Sequence, residues 1–311
     1  MLQTIKNWTL PVALVIGIIA YPWVSRLMLF SPYIIFIMLF ITFCRLSPRD
    51  IHIRPAHIWL LLIQLAGCWL IYGMAGLYHP VVAQGAFICV LAPTAISAAV
   101  ITGMLGGNVA FLTSYLLVCN IGVAIAAPLF FPFIGPHAEM SFAEAFIYIC
   151  KKIGPVLLLP LLLAWIAQYY IPKVTKAIAN FPSLSFYLWA IALTIVTGNT
   201  VKFLVEQENP NYKVEISLAI VALLICAGQF LLGRRIGKRY GDPVSCGQGL
   251  GQKNTILAIW MAQTYLNPIS SVAPAAYVLW QNLINSWQLW KKRKQTSILT
   301  GKSSGSKGIQ A

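Results

Sequence analysis

Apolar residues run along this chain in long blocks, each closed by a short polar or basic stretch. Blocks near 7–24, 28–45, 56–77, 81–104, 108–134, 151–171, 182–202, 213–233, 243–266 and 271–290 are each long enough to cross a bilayer as a helix, which takes about 20 residues. The pattern predicts an all-α integral membrane protein with ten transmembrane helices. Five blocks occupy 1–135, a linker follows over 136–150, and five more occupy 151–294. Glu139 and Glu144 give the linker the look of an amphipathic helix, and the Gly/Ser/Lys-rich tail over 295–311 predicts disorder. An odd number of crossings per set inverts the second set relative to the first, so the expectation is two inverted five-helix repeats.

The fourth block of each set is interrupted. In the first set the break reads Ala92-Pro93-Thr94-Ala95-Ile96-Ser97, and in the second it reads Cys246-Gly247-Gln248-Gly249-Leu250-Gly251-Gln252-Lys253-Asn254. Pro93, Gly249 and Gly251 are the residues expected to break the helices, the glycines through backbone permissiveness. Interrupted segments at corresponding places in two halves point to a binding site at mid-membrane. Thr94, Ser97, Gln248 and Gln252 are the polar groups there. Each can contact a ligand or satisfy the backbone that a break sets free. Lys253 stands out, because a cation at bilayer depth costs about 2.5–3.5 kcal/mol on insertion scales and marks a functional site by default. The alternative is a fixed cation that neutralises helix ends and never moves.

Composition narrows the class. Charged residues make up 9% of the chain and hydrophobic ones 59%. The net charge of +15 does not indicate a nucleic-acid face, because the basic residues sit in short loops between apolar blocks. With the N-terminus in the cytoplasm, the inner segments hold Lys6, Arg45, Arg49, Arg54, Lys173, Lys176, Arg234, Arg235, Lys238, Arg239, the Lys291-Lys292-Arg293-Lys294 run, Lys302 and Lys307. The outer ones hold only Arg26, Lys151, Lys152, Lys202 and Lys213. Both termini are therefore expected in the cytoplasm of a multi-pass inner (plasma) membrane protein. The seven cysteines are scattered without a C-x-x-C and the four histidines are isolated, so neither a metal site nor a cofactor is expected. His79 and His137 read as surface residues. Lys6 and the first block read as a span rather than a cleaved signal.

Several segments, in order and at matching spacing, resemble the bile acid:sodium symporter family over about residues 5–292. They are Ser31-Pro32 with Met38 to Leu46 and Pro48-Arg49-Asp50; Pro93-Thr94-Ala95 with Gly107-Asn108-Val109-Ala110; Gly251-Gln252-Lys253-Asn254; and Pro274 with Trp280-Gln281-Asn282. The resemblance implies a bacterial transporter of that type. A panel of helices 1, 2, 6 and 7 would pack on a core of helices 3–5 and 8–10, with discontinuous helices 4 and 9 crossed inside the core. It also implies that Asn254, Gln281 and Asn282 line the substrate cavity; interhelical hydrogen bonding is the alternative role.

The departures from that family matter as much. Its sodium-binding Ser-Asn pair falls here on Ala98 and Ala99, its Glu on Gly249 and its Gln on Lys253. The Ser and Thr expected early in the fifth helix fall near Leu112 and Leu116, with Thr113 and Ser114 adjacent. Hard cations need oxygen ligands, and these residues supply none. All seven acids, Asp50, Glu139, Glu144, Glu206, Glu208, Glu215 and Asp242, lie in loops or at span ends. The expected function is therefore secondary transport of an organic anion, bile-acid-like or a small carboxylate, by alternating access and without sodium. Lys253 would stand in place of the ion, and it could also take up and release a proton. The rival is a membrane sensor or scaffold of transporter fold that binds without translocating. An enzyme would need a nucleophile, base or metal cluster at depth, and a channel a continuous polar pore; the sequence offers neither.

Overall fold

The computed structural model describes residues 12–46, 51–135, 141–179, 182–206 and 210–305. The Lys6, Pro48-Arg49-Asp50, His137, Glu139 and Glu208 readings lie outside them. Helix is the only extended regular structure among the described residues. After a helical N-terminal stretch come α1 (Ser31–Phe43), α2 (Pro55–Gly76), α3 (Pro80–Leu91), α4 (Ser97–Leu105) and α5 (Val109–Ile134). Then follow α6 (Phe142–Leu157), α7 (Leu159–Tyr170), α8 (Pro172–Ala179), α9 (Pro182–Val205) and α10 (Tyr212–Arg239). The chain ends with α11 (Pro243–Gly251), α12 (Thr255–Tyr265) and α13 (Val272–Gly305).

Local chemistry explains these boundaries. Pro55, Pro80 and Pro243 open their helices at the position where a missing N–H costs nothing. The Asn108, Asn211, Asp242 and Asn254 side chains each accept a backbone N–H of the turn that follows. Gly106 ends α4 with φ of 76°, a left-handed conformation that a side chain would strain. Among the described residues, six helical segments are long and apolar enough to span a membrane: Tyr21–Phe43, Pro55–Gly76, Val109–Ile134, Phe142–Tyr170, Tyr187–Val205 and Tyr212–Arg239. Large apolar residues on their outward faces stay exposed. On α10, Ile216, Ile220, Leu224 and Leu231 point out, while Leu218, Ala222, Cys226 and Phe230 point in. So much exposed apolar surface suits lipid and not water.

Several expected boundaries move. The loop expected between the first two blocks, around Arg26, is instead a 3-10 helix, Ser25–Phe30, continuous with α1. The second half of the linker is the opening of α6. Ser141 and Glu144 form a capping box there, and Ala145, Ile149 and Ile153 bury one face. α13 runs past 295 to Gly305, because Lys, Arg and Gln are good helix formers and no breaker intervenes before Gly301. Arg234, Arg235, Lys238 and Arg239 lie in the last turns of α10 and not in a loop.

The order long helix, broken pair, long helix occurs twice: α2, α3/α4, α5, and then α10, α11/α12, α13. The half-helices have 12, 9, 9 and 11 residues. At 1.5 Å per residue each reaches only about half of a 30 Å hydrocarbon layer, so the breaks fall near its middle. Helices α2–α5 and α10–α13 pack among themselves. The N-terminal stretch, α1 and α7–α9 form a second group against them.

Candidate functional site

The two breaks meet. Thr94 and Lys253 face each other as an antiparallel bridge. The Ala95 N–H donates to the Gln252 carbonyl at 2.9 Å, and the Asn254 N–H donates to the Pro93 carbonyl at 2.8 Å. Each unwound strand thus supplies the partners the other lacks, which backbone at bilayer depth requires.

Side chains repeat the exchange. Lys253 Nζ donates to the Val90 carbonyl at 3.0 Å, in the last turn of α3. Thr94 Oγ1 donates to the Gly249 carbonyl at 2.6 Å, in the last turn of α11. Val90 lies four residues before Thr94, and Gly249 four before Lys253. Each break therefore caps the helix end beside the other, and the ammonium meets the negative end of the α3 dipole. Lys253 is 1% exposed. The thiols of Cys68, Cys89, Cys119 and Cys226, all buried, lie within electrostatic reach of it.

The remaining carbonyls at the crossing are also served. Gln64 Nε2, from the middle of α2, donates to Leu91 and Ala92 at 2.9 and 3.1 Å. Its Oε1 accepts from Tyr115 at 3.2 Å. Tyr277 donates to the Gly251 carbonyl at 2.7 Å. Gln281 Oε1 accepts the Lys253 N–H at 2.9 Å.

The sequence-expected residues fall into two sets. Thr94, Gln248, Gln252, Gln281 and Lys253 are buried and tied to protein. Ser97 is exposed and accepts from Gln252 Nε2 at 2.7 Å. Asn254 and Asn282 are half-buried. The Asn254 side chain caps α12 at Leu257, and Asn282 Nδ2 donates back to the Val278 carbonyl. Of the expected residues, Ser97, Asn254 and Asn282 are thus the ones that are not fully buried.

Pro93 lies in the first break, between α3 and α4, and the second opens at Gln252–Asn254, one residue after Gly251. Neither Gly249 nor Gly251 has positive φ. Both serve close packing. A Cβ on Gly249 would stand 2.7 Å from the Tyr115 ring and 3.3 Å from Leu112, and one on Gly251 would enter the Phe230 ring. A tyrosine and a leucine therefore fill the space beside Gly249, where the resemblance places a carboxylate. His79 is half-buried and caps α3 through Nδ1.

Sequence reasoning missed Gln64, Tyr115 and Tyr277. A lone glutamine in the apolar α2 was the available signal, since such residues bond across helices. It also missed a polar latch between the two helix groups. Gln263 of α12 accepts from Asn199 Nδ2 of α9 at 2.9 Å and donates to Thr200 Oγ1 at 2.9 Å.

No family model matches this chain. It is 24% identical over 247 residues, 75% of this chain and 72% of the other, to YocS of Bacillus subtilis (strain 168), described as an uncharacterized sodium-dependent transporter. The distant likeness to a transporter and the long apolar helices among the described residues support a transport role in a multi-pass membrane protein.

Proposed function

We propose that this protein is a secondary transporter of organic anions, of the bile acid:sodium symporter type, that works by alternating access without sodium. The observation that carries the reading is the Lys253 ammonium, buried at the crossing of two broken helices and bonded to a helix-end carbonyl. A sodium ion at such a crossing would neutralise helix C-termini with its charge. The ammonium does the same without needing to bind first. The space beside Gly249 is filled by Tyr115 and Leu112, and Ala98 offers no oxygen. YocS is named for sodium dependence; this chain, on the present reading, has exchanged the ion for a residue.

An anion would meet Ser97, Asn254 and Asn282, the exposed and half-buried members of the expected set. No side chain caps the start of α4, so its first turn offers a positive dipole end. Alternating access would move the group holding α1 and α9 against the group holding the crossing. The Gln263 latch must then break and re-form in each cycle. The recurring helix order supports two inverted repeats, and the basic residues support cytoplasmic termini in an inner (plasma) membrane.

The dense bonding of the crossing favours the sensor reading to some degree, since a static binder needs no moving part. Counterflow of labelled carboxylates in liposomes separates the two. Exchange in potassium as fast as in sodium supports the proposal; exchange only in sodium overturns the ion replacement; binding without exchange overturns transport.

A further inference from the structure

A second polar centre lies away from the crossing. A cavity of about 320 Å³ opens between α4, α10, α11 and α13, lined by Leu105, Arg234, Val244, Trp287, Gln288, Lys291 and Lys292. Three cations converge on it from two helices. Arg234 Nη2 donates to Gln288 Oε1 at 2.6 Å, a neutral partner that leaves the guanidinium charge uncompensated by that bond. Gln288 is 6% exposed, and the same oxygen also accepts from Gln248 Nε2 at 3.2 Å. The amide N–H groups of Gln288 are that side chain's remaining donors. Lys291 Nζ lies 5.3 Å from the Trp287 ring centre. Lys292 is held where a side chain on Gly106 would strike its ammonium, so the left-handed glycine that ends α4 also makes room for this cation.

We propose that this cavity binds a phosphate-bearing anion, delivered as the headgroup of an anionic phospholipid. Trp287 and Trp290 are both exposed on α13, and the basic run begins right after them. Tryptophan marks the depth of lipid headgroups, so the cavity opens where phosphodiesters are. Basic pockets between helices at that depth suit such groups, and juxtaposed lysines and arginines attract them. The bound group also touches the transport machinery at one remove. Gln288 bonds Gln248, which lies on α11 one turn before Gln252, and Gln248 Nε2 also donates to Asn285 Oδ1 at 3.0 Å. The Gln248 Oε1 is buried and lacks a partner. Occupancy of the cavity would thus hold Gln288 and, through it, the half-helix that presents Lys253.

The test is thermal unfolding of delipidated, detergent-purified protein with added phosphatidylglycerol, phosphatidylcholine or inorganic phosphate. Phosphatidylglycerol should raise Tm by several degrees and phosphatidylcholine should not. The Lys291→Gln/Lys292→Gln double variant, which keeps good helix formers at both positions, should lose more than half of that rise, and so should Arg234→Gln. Lys238→Gln, on the exposed face of α10 outside the cavity, should keep it. A rise with inorganic phosphate that the same variants abolish would assign the site to a free oxyanion, the same chemistry from another source. No rise, or a rise lost equally in Lys238→Gln, would overturn the proposal in favour of general surface attraction.

Discussion

The two breaks do the same backbone work with different side chains. At the first, Thr94 offers a neutral hydroxyl; at the second, Lys253 offers a charge. Each reaches the carbonyl four residues before its counterpart, so their geometry is reciprocal while their electrostatics is not. The α11 end is closed by neutral donors, Thr94 and Tyr277. The α3 end is closed by Gln64 and an ammonium. The one dehydrated cation of the crossing thus belongs to a single arm. The lesson is that one end of a broken-helix crossing can be closed by neutral donors alone, and that the charge at the other end calls for a separate reason. On the proposed function, that reason is attraction of an anion toward Ser97, Asn254 and Asn282.

The largest expected effect comes from erasing the asymmetry. Lys253→Met keeps the length of the side chain and removes the charge and the bond to Val90. Anion counterflow should fall about tenfold or more, the loss that goes with about 1.4 kcal/mol of binding. Anion-induced thermal stabilisation should vanish with it. If the variant instead unfolds earlier yet binds anions with unchanged affinity, the charge only holds the crossing. Lys253→Gln, which restores the residue that the resemblance places there, should fail to regain sodium dependence, because Tyr115 and Leu112 still crowd Gly249.

Next in size is the neutral support of the α3 end. Gln64→Leu leaves the Leu91 and Ala92 carbonyls without their side-chain donor and deprives Tyr115 of its acceptor. A buried group left unsatisfied costs about 1–3 kcal/mol. The melting temperature should drop more than for any single change at Thr94. An unchanged Tm would mean that water reaches this side of the crossing.

How much of this was legible beforehand follows from what each feature depends on. The long apolar blocks and the two interruptions depend on local sequence, and Pro93 and Lys253 marked them. Chain continuity around Ser25–Phe30 did not show, because Arg26 mimics a loop in an apolar stretch. The reach of α13 beyond 295 was hidden by a Gly/Ser-rich composition that begins only after several good helix formers. The roles of Gly249 and Gly251 are not separable in the sequence, because a missing side chain means either backbone freedom or room for a neighbour. Only the positions of Tyr115 and Phe230 tell which. The partners of Lys253 lie on other helices and leave no trace in its own segment.

That distinction gives a third test. Gly251→Ala should be destabilising although the site is helical and alanine is the better helix former, since the new methyl enters the Phe230 ring. Overpacking of this kind costs about 1–3 kcal/mol. Phe230→Leu in the same chain should recover part of the loss. A Gly251→Ala protein as stable as the parent would return the glycine to its expected role in backbone freedom.

The smallest effect is expected on the neutral arm. Thr94→Val removes the donor to the Gly249 carbonyl while keeping shape. Interhelical hydrogen bonds in membranes average about 0.6 kcal/mol, so Tm should shift only slightly and anion transport should stay near the parent level. The value of this variant lies in combination. If Thr94 and Lys253 close one crossing, the double change Thr94→Val/Lys253→Met should depart from additivity in Tm, since groups that share a backbone junction couple by about 0.5–3 kcal/mol. It should remain additive in transport, where only the charged arm acts on the anion. Coupling in transport as well would mean that the hydroxyl takes part in moving the anion. The comparison between a structural arm and a functional arm would then fail.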